Sequence, residues 1–325
     1  MFYKVGLRSQ WSTAVEFRVI IALVVGLVAT SFSPIFIRLA QVHLSPDATI
    51  FNRFWIASLA LVLWNGLSGM RRQRRSRHAL WQRPNWLQIV GLLFLMGSLL
   101  STALILWAWS LNQTSVASSA IIHSIAPVFT AFWGWLFLRR QFDQNFLIGM
   151  VIAVGGTLII GIHDIFQTGE ALQGDLMTLL STILLGAYPL VEEKLKMQLS
   201  ARDIVQGSSL VGIVVVLPVV LFSGHQILPH TIKGWFSVIS LASVCQIIGL
   251  GLLAYCLNRF SAEFISICHL LTPIFSAITA WVVFDEILSF DCAIGFIFVL
   301  LGIYFTLSSP STLKQQDAVS VPLLE

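Results

Sequence analysis

Ten long apolar segments follow one another along the chain, separated by short polar or turn-rich connections. Each is close to the ~20 residues that an α-helix needs to cross the hydrocarbon core of a bilayer. The pattern therefore predicts an all-α integral membrane protein with ten transmembrane helices, which we call spans 1 to 10. Their predicted ranges are 17–40, 47–67, 86–109, 115–138, 145–163, 173–195, 204–223, 232–258, 260–284 and 290–308.

The composition supports this class and argues against most others. Of the 325 residues, 57% are hydrophobic and only 10% are charged, whereas a soluble domain carries about 25% charged residues. A soluble enzyme, a nucleic-acid-binding protein and a disordered chain are disfavoured, so we expect no nucleic-acid partner. The four cysteines all lie in apolar stretches, where we expect free thiols rather than a disulfide framework.

Lysine and arginine positions predict the orientation of the spans. If both termini are cytoplasmic, sixteen of the nineteen basic residues fall on the cytoplasmic side, as the positive-inside rule expects. The arginine-rich run 71–77 then lies between spans 2 and 3, where it is expected to anchor the topology rather than bind nucleic acid or lipid. An odd number of spans would spoil this separation, so the charges support ten spans with both termini cytoplasmic.

The two halves of the chain repeat each other. Aligning residues 111–156 with residues 257–302 without gaps gives twelve identities in 46 positions. The rarest matching pairs are His123/His269, Pro127/Pro273 and Trp135/Trp281. A repeat of five spans forces the second copy to insert upside down, and inverted repeats are typical of secondary transporters with a substrate site near the midplane. Duplication for fold stability alone is the alternative.

The repeat predicts two five-helix units and three flanking or connecting segments. The units are 17–163 and 173–308, joined by the connection 164–172. A cytoplasmic N-terminal segment, 1–16, and a cytoplasmic tail, 309–325, complete the chain.

Several stretches resemble the EamA-type module of the drug/metabolite transporter superfamily. Residues 117–156 are similar to its fourth and fifth spans, and 273–286 with Gly295 are a closer match in the second copy. Ser45-Pro46 and 52–54 resemble the start of its second span. The resemblance covers 17–308 and implies a ten-helix carrier for small metabolites, typically an exporter, in the cytoplasmic membrane. One departure is that Arg140 stands at the repeat position of the acidic Glu286.

His123 and His269 are the first candidates for substrate binding. Each lies about eight residues, or ~12 Å, into its predicted span, close to the midplane, and four residues before Pro127 or Pro273. Because proline has no N–H, the carbonyls of the two histidines are expected to lose their helical partners. Each imidazole could bind substrate, carry a proton in a coupled cycle, or form an interhelical hydrogen bond.

Four prolines at matching places in the two repeats are expected to break or bend their helices. Pro34 and Pro189 occupy matching places in spans 1 and 6, as Pro127 and Pro273 do in spans 4 and 9. Such bends could act as gates for alternating access, and static kinks are the alternative.

Arg53 is the arginine that lies well inside a predicted span, about 9 Å from its start. A charge at this depth is usually paired or functional. It could bind an anionic group of the substrate, snorkel to the surface, or pair with Asp47 or Glu286. Glu263 begins span 9, where an interfacial carboxylate beside Arg259 is expected and a proton site is the alternative.

Three further residues complete the predicted substrate site. Tyr188 neighbours a proline, Trp107 is an aromatic residue near the repeat core, and Asn258 is shared by the two repeats. Aromatic residues of this kind could form pocket walls, or belong to the interfacial belts that tryptophan and tyrosine populate.

The predicted function is secondary-active transport of small polar metabolites, such as amino acids or related compounds, with export as the expected direction. Alternating access would occur between the two inverted repeats, in a monomer or homodimer, with proton coupling left open. A P-loop, an HExxH motif and a GxSxG motif are all absent from the sequence, so we expect no enzyme activity, no cofactor and no metal. The alternatives are a membrane-embedded enzyme and a non-transporting scaffold or sensor.

Overall fold

The computed structural model describes residues 13–72, 86–114, 119, 122–165, 172–224, 226–275 and 290–312. The first half contains span 1 (Thr13–Ser31 and Ser33–Gln41), span 2 (Pro46–Arg72), span 3 (Trp86–Ser110), span 4 (Ala126–Leu138) and span 5 (Gln144–Ile165). The second half begins with span 6 (Leu172–Lys196) and span 7 (Ala201–Ser223). Span 8 joins Ile232–Ser240, a π-helix over Leu241–Leu250 and Gly251–Cys256. Span 9 contains Ala262–Cys268 and a 3-10 turn over His269–Leu271, and span 10 is Phe290–Leu307.

The helices have the lengths and surfaces of membrane spans. Within the described residues, five are long and apolar enough to cross a bilayer, and shorter apolar helices represent spans 4, 5, 9 and 10. Leu87, Phe222 and Ile232 are 86%, 92% and 90% exposed, which suits contact with lipid. The predicted all-helical membrane fold is confirmed.

Spans 5 and 10 cross with almost no side chain between them. A Cβ added at Gly149 would lie 2.6 Å from the carbonyl oxygen of Gly302, and one added at Gly156 would lie 2.8 Å from that of Gly295. Small residues permit such close approach of membrane helices. The residue numbers of the contacting glycines rise along span 5 as they fall along span 10, so the two spans run antiparallel. Since Gly149 and Gly156 are the repeat counterparts of Gly295 and Gly302, the crossing has the two-fold character of an inverted repeat.

The main core lies where spans from the two halves pack together. Span 3 packs on spans 6 and 7, and span 2 packs on span 7. Phe54, Met96 and Ile204 are fully buried in this region. Because the helices come from both repeats, the core is itself the contact surface between them.

Two spans are interrupted just before a proline. In span 1 the helix restarts at Ser33, so that Pro34 occupies the second position of the new helix. In span 4 it restarts at Ala126, with Pro127 in the same position. Proline is tolerated in the first turn of a helix because the N–H it lacks would have no helical partner there.

The other two prolines behave differently. A 3-10 turn begins at His269, four residues before Pro273. Span 6, in contrast, continues through Pro189 to Lys196 as one helix. The expectation of a helix break at Pro189 is therefore wrong, and a bend there stays a prediction; span 6 packs on spans 3 and 4.

The turn after span 10 is held against the start of span 5. The hydroxyls of Ser309 and Ser311 both donate to Asp143 Oδ1. The Ser261 N–H, at the start of span 9, donates to the Thr312 carbonyl at 2.9 Å. Desolvation alone would raise the pKa of Asp143, but these hydroxyl donors outweigh it and hold the pKa below its ordinary value.

Replacing Asp143 by asparagine is expected to cause a pH-dependent loss of stability. A carboxylate with a lowered pKa stabilises the fold above its unfolded pKa and loses this contribution as pH falls through the folded value. Asp143→Asn should therefore lower the free energy of unfolding by about 1 kcal/mol at pH 7, and the difference from wild type should shrink as the pH falls from the ordinary aspartate pKa of about 3.9 toward about pH 2. Thermal unfolding in detergent at both pH values checks this, and an equal loss at both would contradict it.

Candidate functional site

Arg53 is buried at the centre of a polar group formed by four spans. The residue is 3% exposed. Its Nε donates to Gln246 Oε1 of span 8 at 2.7 Å, and its Nη1 donates to Ser33 Oγ of span 1 at 3.1 Å. Gln246 Nε2 in turn donates to Ser209 Oγ of span 7 at 3.5 Å. The guanidinium therefore connects both repeats through neutral side chains.

Local helix geometry positions both partners of Arg53. Ser33 opens the second helix of span 1, directly after the interruption. Gln246 lies within the π-helix of span 8. This widened helical form is rare in proteins, and where it does occur it is often at a functional site. Two departures from regular helix thus meet at the same buried charge.

The burial of Arg53 and its hydrogen bonds exclude two of the alternatives for this residue. Because the residue is buried, it does not snorkel to the surface. Asp47 does not pair with it, since the ion pairs in the described residues are all made by Arg140 and Asp47 Oδ2 has no hydrogen-bond partner. Pairing with Asp47 is therefore wrong, and Glu286 lies outside the described residues.

Tyr188 links the Arg53 group to the neighbouring span 6. It is 7% exposed and belongs to the same buried cluster as Phe54 and Cys245, the residues next in sequence to Arg53 and Gln246. The structure thus brings together two of the six predicted site residues. Ser33, Ser209 and Gln246 complete the group, and no sequence motif marked them.

His123 forms a second group with Trp107. The two rings meet edge to face, with centroids 5.1 Å apart. His123 Nδ1 lies 3.1 Å from the Ser119 carbonyl oxygen, and Nε2 lies 3.4 Å from Ser181 Oγ of span 6. Ser181 gives its hydroxyl hydrogen to the Ala103 carbonyl at 2.8 Å. When the neutral imidazole carries its hydrogen on Nδ1, Nε2 is a hydrogen-bond acceptor. None of the described residues donates a hydrogen bond to this nitrogen.

His269 and Asn258 lie apart from both groups. The His269 carbonyl accepts the N–H of Thr272 and also its hydroxyl at 2.7 Å. The expectation that this carbonyl is unpaired is therefore wrong, because Thr272 supplies the hydrogen bonds that Pro273 cannot. Asn258 is exposed in the turn after span 8, where it donates to the Tyr255 carbonyl at 2.8 Å.

A buried ionic cluster, formed by Arg140, Glu193 and Glu263, lies at one end of the bundle, near the ends of spans 4 and 6 and the start of span 9. Arg140, between spans 4 and 5, donates to Glu263 Oε2 at 2.5 Å and to Glu193 Oε1 at 2.9 Å. Glu193 Oε2 also accepts the Ala262 N–H at 2.9 Å. Burial alone would lower the pKa of Arg140, but the two carboxylates outweigh it and raise the pKa. The cluster joins the first repeat to the second.

This cluster corrects the sequence interpretation of Glu263. The residue is 1% exposed and pairs with Arg140, so its basic partner is Arg140 and not the expected Arg259. In the sequence, Arg140 stood out only as a departure from the acidic residue of the second repeat, and this cluster was not predicted.

Span 6 carries one residue of each group. Ser181 and Tyr188 are seven residues apart, which places them on one helical face about 10 Å apart. Glu193 follows about 7 Å further along. The His123 group, the Arg53 group and the ionic cluster therefore follow one another along a single helix at the boundary between the repeats.

The described residues contain no group of three or more His, Cys, Asp or Glu residues that could hold a metal ion. Cys245, Cys256 and Cys268 are buried free thiols, as expected. The fourth cysteine, Cys292, has a side chain outside the described set.

Comparisons with known proteins agree with the fold and the repeat. One relative, an uncharacterized transporter of Archaeoglobus fulgidus, is 24% identical, covering 88% of this chain and 96% of its own. Another, the uncharacterized transporter YdfC of Bacillus subtilis, is 23% identical, covering 88% and 89%. A crystal structure with 12% identity has a TM-score of 0.69, over 89% of this chain and 97% of that chain, and so shares the fold.

The model of the EamA-like transporter family matches the chain twice, at residues 17–162 and 172–308. These two matches account for most of the sequence and for both halves of the repeat. The chain is therefore a membrane transporter that belongs to the EamA-like transporter family.

Proposed function

We propose that this transporter is a secondary-active carrier that exports small polar metabolites, such as amino acids or related compounds, by alternating access between its inverted repeats. In the proposed orientation both termini are cytoplasmic, in the cytoplasmic membrane. The ionic cluster then closes the cytoplasmic end, and the Arg53 group lies deeper in the bundle.

One observation carries this proposal, namely that a buried contact at one end of the bundle is ionic and joins the repeats. A permanent contact between the repeats does not need charged residues for stability, because replacing a buried ion pair by packed apolar residues is often neutral or stabilising. An ionic contact suits a gate, since water can solvate its charges when the repeats separate. Switching proteins commonly repack salt bridges at such moving interfaces.

In this proposal the candidate binding groups lie deeper in the bundle than the gate. Arg53, Tyr188, Trp107 and His123 present charge, hydroxyl, aromatic face and imidazole at the repeat boundary. This mixture of a few polar groups with apolar walls is characteristic of small-molecule sites.

Counterflow into sealed proteoliposomes tests the proposal. Vesicles preloaded with an unlabelled solute are mixed with its labelled form, across a panel of amino acids and related metabolites. We expect saturable accumulation of at least one solute, absent from protein-free vesicles. Folded protein in sealed vesicles that moves no member of the panel would contradict this function.

A pH gradient across the same vesicles tests proton coupling at His123. If the open acceptor Nε2 carries the proton, a gradient should accelerate flux in wild type and have no effect in His123→Gln, which retains hydrogen-bonding capacity. Thr157→Val, which removes a buried hydroxyl on span 5 away from the site, is the control and should keep the response. An unchanged response in His123→Gln would overturn this role.

A further inference from the structure

We propose that Arg53 recognises a compact anionic group on the transported solute, so that this carrier moves carboxylates or phosphate esters rather than uncharged or purely cationic compounds. The inference rests on the proposed transport function and adds the class of substrate. It places the anionic group beside Arg53, where span 2 meets the π-helix of span 8.

The charge balance around Arg53 is the first argument. Its immediate neighbours, Gln246, Ser33, Cys245 and Tyr188, are neutral. Among the described residues, no carboxylate lies within ion-pairing distance of it. Burying a charge in a membrane protein without a counter-charge is costly, and such residues usually serve function. A bound anion would supply the missing charge.

Arg140, in contrast to Arg53, is an arginine whose charge is paired within the protein. That residue is held by two carboxylates and is more exposed, at 23% of its side chain. Arg53 is the more deeply buried of the two and has neither carboxylate. Among the described residues, carboxylates therefore satisfy the charge of Arg140 and none satisfies that of Arg53.

The remaining donors of Arg53 are the second argument. Guanidinium has five N–H donors in a planar fork, and described residues accept from only two, through Nε and Nη1. Gln246 and Ser33 fix the plane of the fork from two spans. A positioned guanidinium with free N–H groups is suited to bidentate binding of carboxylate or phosphate.

The test compares matched solutes that differ in charge. Labelled succinate is paired with succinamide, glycerol 3-phosphate with glycerol, and L-alanine with L-alaninamide, each in counterflow with wild-type proteoliposomes. We expect at least one anionic member to be transported with a KM at least about tenfold below that of its partner. The pair that responds distinguishes a carboxylate site from a phosphate site.

Variants of Arg53 identify the residue responsible. Arg53→Met should raise the KM for the transported anion by about tenfold to a hundredfold, and Arg53→Lys should retain part of the affinity. Ser58→Ala, which removes another buried polar group of span 2, is the matched control and should behave as wild type. In micelles, the anion should raise the unfolding temperature of wild type and leave that of Arg53→Met unchanged.

The outcomes separate the two proposals. Transport of only the uncharged or cationic members, with Arg53→Met equal to wild type, overturns the anion inference and leaves the carrier function in place. If no solute moves, the transport proposal fails, and the micelle measurement still decides whether Arg53 binds the anions. Stabilisation of wild type and Arg53→Met to the same degree would overturn the inference.

Discussion

Replacing Arg140 by methionine should destabilise the protein more than any other single charge removal. The change leaves Glu193 and Glu263 buried without a cation, at 4% and 1% exposure. Breaking a buried ion pair from one side costs about 3–5 kcal/mol. The arginine is 23% exposed, and solvent screening therefore favours the lower end, about 3 kcal/mol. Thermal unfolding in detergent measures the loss.

Two further variants separate this effect from the loss of one surface charge. Arg139 is the preceding residue and is exposed, so Arg139→Met should change the free energy of unfolding by less than about 0.5 kcal/mol. Adding Glu193→Gln and Glu263→Gln to Arg140→Met removes the unpaired charges and should recover most of the stability. A triple variant as unstable as Arg140→Met would show that the carboxylates are not the cause.

The triple variant also tests the gate. If the cluster only stabilises the fold, a variant with restored stability should transport at the wild-type rate. If it closes one end during the cycle, transport should fall by about tenfold, equivalent to a shift of ~1.4 kcal/mol between gate states. Counterflow at matched protein density measures this, and wild-type rates in a stable triple variant would refute the gate.

The fold was largely predictable because the bilayer leaves few choices. Within lipid, every backbone polar group needs an internal partner, so apolar segments of sufficient length form helices. A repeat with an odd number of spans requires the second copy to be inverted. The antiparallel crossing, in which Gly149 meets Gly302 and Gly156 meets Gly295, is consistent with this inversion. The continuous helix at Pro189 was not predictable, since neighbouring helices decide whether a proline breaks a membrane helix.

The site was predictable only in part, because its partners come from distant spans. Arg53 stood out as a charge within an apolar segment. Its acceptor Gln246 is 193 positions away and lies in a π-helix that has no proline and no other sequence signal. The ionic role of Arg140 was not predictable for a different reason. A basic residue in a loop is expected from topology alone, and nothing nearby marks its partner Glu263, 123 positions away.

The crossing of spans 5 and 10 should tolerate no side chain larger than hydrogen. A Cβ at Gly156 would lie 2.8 Å from the Gly295 carbonyl oxygen, the Val299 nitrogen and the Phe298 Cβ. Two of these are backbone atoms, so the helices must separate to admit a methyl group. We expect Gly156→Ala to lower the free energy of unfolding by about 1–3 kcal/mol, and Gly156→Leu to prevent folding.

Gly155 supplies the matched control, because it is adjacent in sequence and a Cβ there would meet no atom within 4 Å. Alanine has a higher helix propensity than glycine by up to about 1 kcal/mol, so Gly155→Ala should be neutral or stabilising. Gly302→Ala meets backbone atoms of Ala153 and Gly149 at 2.5 Å and should reproduce the loss from the other repeat. Unfolding temperatures and the yield of monodisperse protein measure the effects. Equal stability of Gly155→Ala and Gly156→Ala would mean that the close crossing does not hold the two repeats together.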